Sequence, residues 1–110
     1  MKISGTRQKG KVQILVDGKE LTPYASQKVW NHSPNGFEFG YSGSGPAQLA
    51  LAILLAAGAS PEDAVTYHQT FKREVIAGLH KEDFEIDIEF APCGYLWKIN
   101  SVNHIPNLPT

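Results

Sequence analysis

Cysteine is almost missing from this sequence. Cys93 stands alone, which excludes an internal disulfide and any metal site built from several cysteines, and makes a reducing compartment the simpler setting. Charge of one sign is missing too: 10 basic residues face 11 acidic ones, the formal net charge is -1, and the basic residues are scattered. Non-specific binding to nucleic acid through a phosphate-neutralising patch is therefore not expected. No basic segment followed by an apolar one opens the chain, so no secretory signal is expected. The longest apolar run, after Pro46, falls well short of the roughly 18 residues that span a bilayer. Neither GxxxxGK[ST] nor GxGxxG nor HExxH occurs, so no nucleotide-loop, dinucleotide or zinc-protease signature is present and no cofactor is implied.

What is present is a chain of 110 residues, 42% hydrophobic and 19% charged, the composition and length of one globular domain over residues 1–110. It is organised around residues 36–58, GFEFGYSGSGPAQLALAILLAAG. A glycine-dense loop runs into a segment in which Leu49, Ala50, Leu51, Ala52, Ile53, Leu54 and Leu55 cover every direction of a 3.6-residue turn. The spacing predicts a helix over about 46–58 that is buried on all sides. Pro46 suits its first position, and Gly58 is placed to stop it in a left-handed conformation. Ser60-Pro61-Glu62-Asp63 opens a second helix, with serine as cap and two acids at the positive end of the dipole. Ala64, Val65, His68, Phe71, Val75, Ile76 and Leu79 line one face of it, over about 61–79.

Before this pair, residues 2–7 and 11–16 are extended candidates around the Lys9-Gly10 turn, and Asp17-Gly18 sends residues 19–21 back as a third short strand. Residues 22–35 read as an irregular loop with one helical turn, anchored by Tyr24, Val29 and Trp30, and residues 37–41 as a short extended run. After the helices, Phe84-Glu85-Ile86-Asp87-Ile88-Glu89-Phe90 alternates strictly between apolar and acidic, a half-buried strand. Pro92-Cys93-Gly94 turns the chain so that residues 95–99 return. The fold class is thus α+β: an N-terminal antiparallel hairpin or meander, a central buried helix packed on an amphipathic one, a C-terminal β-hairpin over about 84–99, and an irregular tail over 100–110.

The candidate binding residues gather where the glycine loop meets the helix. The first N–H groups of a helix lack internal partners and sit at the positive end of its dipole, so Tyr41, Ser42, Gly43, Ser44 and Gly45 form a loop that can admit an anion. The alternative is that the glycines serve a tight turn and Ser42 or Ser44 caps the helix. Gln48, a lone amide on an apolar helix, must bond a loop backbone, cross a subunit interface or meet a ligand. Asn31 and His32 precede the loop and can approach it in space. The histidines 32, 68, 80 and 104 show no ligand spacing, so no metal site is expected. His68 reads as a core-edge residue bonded to a carbonyl, and no catalytic residue is assigned.

The segments 31–34 (NHSP), 36–41 (GFEFGY), 43–52 (GSGPAQLALA) and, further on, Tyr67 and 71–77 (FKREVIA) resemble an uncharacterised domain family of bacteria and their phages, with GYxGSGPAQLALA as its distinctive core. The resemblance covers about residues 2–79. It implies a prokaryotic or phage origin and an intracellular, cytoplasmic setting, and it carries no activity, because the family's function is unknown. The acidic strand and the tail after Leu79 look specific to this chain.

The function expected first is a non-enzymatic binding module holding an anionic small molecule or nucleotide at the glycine loop and helix N-terminus, in a phage setting by sequestering it. The alternatives are a protein-interaction or inhibitor module acting through the C-terminal hairpin, and a small enzyme using His32 or His68 with a loop serine. A homo-oligomer is expected as well, since one hairpin and one helix leave faces of the apolar helix to be covered by a second copy.

Overall fold

The computed structural model describes residues 1–103. Three strands open the fold, β1 (Lys2–Gln8), β2 (Lys11–Val16) and β3 (Lys19–Glu20), followed by the helices α1 (Tyr24–Val29), α2 (Ser44–Ala56) and α3 (Pro61–Glu74), and then by β4 (Asp83–Phe90) and β5 (Trp97–Asn103). All strands pair antiparallel in one sheet of order β3-β2-β1-β4-β5. The architecture is the α+β fold expected from the sequence.

Local chemistry sets the turns. Lys9 and Gly10 both have positive φ (52° and 77°), as do Asp17 and Gly18 (50° and 83°), the backbone pair that matches the twist of a two-residue hairpin. Asp17 is held by its own side chain, whose Oδ1 accepts from the Lys2 N–H at 2.8 Å. The chain then leaves the sheet, builds the helices, and returns as β4 on the far side of β1, with Ile3 opposite Ile86 and Gly5 opposite Phe84. A Cβ at Gly5 would overlap the Phe84 ring, so the glycine makes room for an aromatic that packs edge-on against Phe39 at 4.9 Å.

Alternation leaves Ile3, Ile14, Phe84, Ile86 and Ile88 buried on one face of the sheet, while Ser4, Leu15, Glu85, Asp87 and Glu89 lie on the other. The buried face joins α2 in one core: Gly45 through Leu54 are all buried, and Phe71, Ala64 and Ile76 close the cluster from the α3 side. At roughly 1.5–3 kcal/mol for each large apolar side chain removed from water, this core is the main stabilising term. The single chain therefore covers the all-round apolar helix, and the reason the sequence offers for a second copy does not apply to α2.

The helix ends follow their signals. Gly58 takes φ 107°, its N–H bonds the Leu55 carbonyl at 3.1 Å, and the Ala59 N–H bonds the Leu54 carbonyl at 3.0 Å, a Schellman closure. Ser60 caps α3 by accepting from the Asp63 N–H at 3.1 Å.

Several boundaries differ from expectation. Helix α2 begins at Ser44, two residues before Pro46, with Gly43 in the capping position and no side-chain cap from Ser42 or Ser44. The helix expected to reach Leu79 ends at Glu74. Val75 turns to φ -122°, ψ -63°, and a 3-10 turn Ile76–Gly78 follows, which lets Val75 and Ile76 both reach the core. Residues 24–29 form a true helix, and residues 37–41 join no ladder because Phe37 and Phe39 are drawn into the core instead. Strand β5 starts at Trp97 and runs to Asn103, so Tyr95 and Leu96 belong to the connection and residues 100–103 to the sheet. The rest of the expected tail, with His104, lies outside the described residues. Among those described, no helix is long and apolar enough to cross a membrane.

Candidate functional site: a locked loop and a histidine pair

Gln48 lies in the second turn of α2, fully buried, and uses every hydrogen-bonding position of its amide. Its Oε1 accepts from the backbone N–H groups of His32 (2.8 Å) and Ser33 (3.0 Å), and its Nε2 donates to Ser26 Oγ (2.8 Å) and to the Trp30 carbonyl (3.1 Å). The Ser26 hydroxyl donates in turn to the Pro23 carbonyl at 2.8 Å, and Gln27 Nε2 donates to the Ser33 carbonyl at 2.9 Å. Of the three roles open to Gln48 in the sequence, the amide takes the bond to a loop backbone. Two donors and two acceptors all matched make a buried amide stabilising where an unmatched one costs about 1–3 kcal/mol. The segment 30–33 is thereby clamped to the helix.

That clamp sets His32 against His68 of α3, with the two Nε2 atoms 2.9 Å apart. His68 is completely buried, and its Nδ1 lies 2.7 Å from the Val65 carbonyl and 3.1 Å from that of Ala64. A carbonyl only accepts, so the His68 proton sits on Nδ1 and its Nε2 offers a lone pair. His32 must then donate from Nε2, which leaves His32 Nδ1 as the free basic nitrogen of the pair. Trp30 covers both rings, stacked on His32 at 4.3 Å and edge-on to His68 at 5.6 Å, and is itself 47% exposed. Burial lowers the pKa of His32 and of His68. The neighbouring imidazole and the Lys72 ammonium add to this for His32; for His68 the Val65 and Ala64 carbonyl bonds oppose the shift, and Lys72 lowers it again.

These shifts have a sign. An unfolded imidazole titrates near 6.5, and both native ones lie lower, so below 6.5 the unfolded chain binds more protons than the native one. Stability is complete above pH 6.5, falls as pH drops from there toward the lowered native values, and levels off below them. A melting series from pH 7.5 to 5.5 should show a falling Tm, with at most about 1.4 kcal/mol lost per pH unit per imidazole. Replacing both histidines by glutamine should flatten that slope; an unchanged slope would place the titration elsewhere.

The glycine loop stands beside this cluster. Ser44 is four residues before Gln48, hence on the same face of α2 one turn nearer its N-terminus, and both Ser42 and Ser44 are exposed. Gly45 is buried under the Glu38 side chain, and the Tyr41 ring lies against Gly43, where a Cβ would come within 2.9 Å of it. Glu38 is held by Arg7, whose Nη1 donates to Oε2 at 2.9 Å; the Nη2–Oε1 approach of 2.8 Å is an ion-pair contact without hydrogen-bond alignment. Arg7, Glu38, Phe39, Tyr41, Lys81 and Glu82 line an open cleft of about 350 Å³.

The residues singled out in the sequence thus fall into two groups. Asn31, His32 and Gln48 meet at the locked loop, with Asn31 exposed and Gln48 saturated; Tyr41, Ser42, Gly43, Ser44 and Gly45 form the turn into α2. His68 bonds a carbonyl, as its helical position suggests, but it also faces His32. Of the three apolar anchors read in residues 22–35, Val29 packs against the core, whereas Tyr24 and Trp30 are exposed; Lys72, Ser26 and the Arg7–Glu38 pair carry no sequence signal. Among the described residues, no three histidine, cysteine or acidic side chains gather to hold a metal, and neither imidazole bonds a serine hydroxyl or the Cys93 thiol.

Comparison with known proteins adds one finding. No curated protein and no solved structure matches the chain significantly. A family profile does match, and it reaches past Leu79 to include the acidic strand β4, so that strand is part of the family pattern, whereas β5 lies beyond it. Over residues 3–91 the chain belongs to a family of unknown function, DUF6166.

Proposed function

We propose that this domain is a non-enzymatic binding module whose ligand is an anion of the nucleotide class, with a planar base to stack. The observation that carries this reading is the presentation of Trp30: a buried glutamine with four matched hydrogen bonds holds the Trp30 carbonyl, the two backbone N–H groups of His32 and Ser33 after it and the Ser26 hydroxyl before it, and the indole they fix is half exposed. A rigid aromatic at the surface stacks a base without the entropic cost of ordering a loop. Lys72 supplies positive charge within electrostatic reach of both imidazoles, His32 Nδ1 offers an acceptor, and Ser44, one helical turn before Gln48, supplies an exposed hydroxyl. A binder without turnover acts by holding its ligand, which in a phage or bacterial cytoplasm amounts to sequestration.

A nucleotide panel read by thermal shift tests this. A ligand at 100 times its Kd stabilises by about 2.7 kcal/mol, a rise of roughly 10 °C for a domain of this size. Trp30→Ala should weaken that ligand by about 1–3 kcal/mol, tenfold or more, while leaving the fold intact. No shift with any nucleotide, together with no small molecule released on denaturing the purified protein, would end the proposal. A second reading, a protein-interaction surface on the C-terminal hairpin, is favoured by the exposure of Leu96, Ile99 and Val102.

A further inference from the structure

The two edges of the sheet are built differently. Strand β3 is two residues long, Lys19 and Glu20, both charged and exposed, the kind of edge that resists further pairing. Strand β5 is seven residues long, WKINSVN, with Lys98 as its single charge. Its inner edge pairs with β4, and among the described residues nothing pairs with its outer edge.

The register of β5 adds a second asymmetry. Ser101 pairs with Asp87 and Ile99 with Ile88, so Asn100 is an extra residue in a bulge. Because of that bulge, Ile99 and Val102 both stand opposite buried isoleucines, Ile88 and Ile86, and so on the core face of the sheet. Yet they are 39% and 50% exposed, while Trp97 at the other end of the strand is covered by Phe71 of α3. On the other face Lys98 lies opposite Glu89, a residue of opposite charge.

We infer that the outer edge of β5 pairs antiparallel with β5 of a second copy of this chain, making a two-fold dimer with a continuous sheet. With the two-fold axis between Asn100 and Ser101, Ile99 meets Val102 of the partner subunit and Val102 meets Ile99 of the partner subunit. The four side chains form one apolar strip on the core face, continuous with Trp97, which already packs edge-on against Phe71 at 4.8 Å. Lys98 then meets Asn103 of the partner subunit, so no like charges oppose each other. An isologous pairing needs a strand that complements itself, and β5 has that property while β3 does not.

Sedimentation of the full chain from micromolar to near-millimolar concentration tests the inference. The weight-average mass should rise twofold, and Val102→Lys should remain monomeric over the same range with an unchanged far-UV spectrum and melting curve. A second measurement fixes the register without relying on a charged substitution. In a Cys93→Ser background, Ile99→Cys and Val102→Cys chains mixed under mild oxidation should give a disulfide-linked heterodimer, and neither alone should crosslink. A chain monomeric at every concentration, a dimer that Val102→Lys leaves intact, or a mixture that fails to crosslink would overturn it.

Discussion

Gln48→Leu should lower the melting temperature by more than about 10 °C, far beyond the effect of an apolar swap of similar volume elsewhere in α2. The leucine fits the helix, but it leaves the Ser33 N–H without its acceptor, leaves the His32 N–H and the Trp30 carbonyl only their 3.2 Å bond to each other, and leaves the Ser26 hydroxyl only its bond to the Pro23 carbonyl. The unpaired N–H costs roughly 1–3 kcal/mol and each of the three other lost bonds about 0.5–1.5 kcal/mol, so a loss of about 3 kcal/mol or more follows. The damage should be local as well. With the clamp gone, residues 30–33 are released and the His32–His68 contact opens, which Trp30 emission reports in a Trp97→Phe background. A leucine variant that melts within a few degrees of the parent would show that loop 30–33 is held by something other than this amide.

Gly94→Ala should be comparably severe, for a reason with no polar content. Gly94 ends the turn after β4 with φ 79°, its N–H bonded to the Ala91 carbonyl at 2.9 Å, and it lies so close to the α2–α3 link that a Cβ would overlap the backbone of Ala59. Alanine in that conformation costs about 1–2 kcal/mol, and backbone that must move aside adds roughly 1–3 kcal/mol more. Gly10 is the control. Its φ of 77° is nearly the same, but a Cβ there meets open space, so Gly10→Ala should cost only the dihedral term of about 1–2 kcal/mol. Denaturant midpoints for the two variants separate the effects; equal midpoints would mean that the turn swings away from Ala59 freely.

The elements that could be read from the chain are those whose signals are local. Gly58, Ser60 and Pro61 mark a helix end and a helix start within four residues because capping depends on neighbouring backbone alone. The unbroken apolar surface of α2 declares full burial. It does not declare what covers it, and here the sheet, α1 and α3 of the same chain suffice. The pairing of β1 with β4 was not legible, since alternation tells which face of a strand is buried and nothing about which strand lies beside it. The same limit hid the site. His32 and His68 come from a loop and a helix, and only the amide of Gln48, itself ambiguous in the sequence, brings them to 2.9 Å. Trp30 misled for a related reason: an indole in an otherwise polar segment looks like an anchor until the backbone around it proves to be anchored by something else.

The placement of β1 between β2 and β4 also bears on how the molecule is made. During synthesis on a ribosome, β1 and β2 can close their hairpin early, but the other side of β1 waits roughly eighty residues for its neighbour, a long loop to close. Throughout that interval α2 has emerged with its greasy circumference only partly wrapped. Nascent chains should therefore engage holdase chaperones until β4 leaves the exit tunnel, and acquire protease resistance in a single late step.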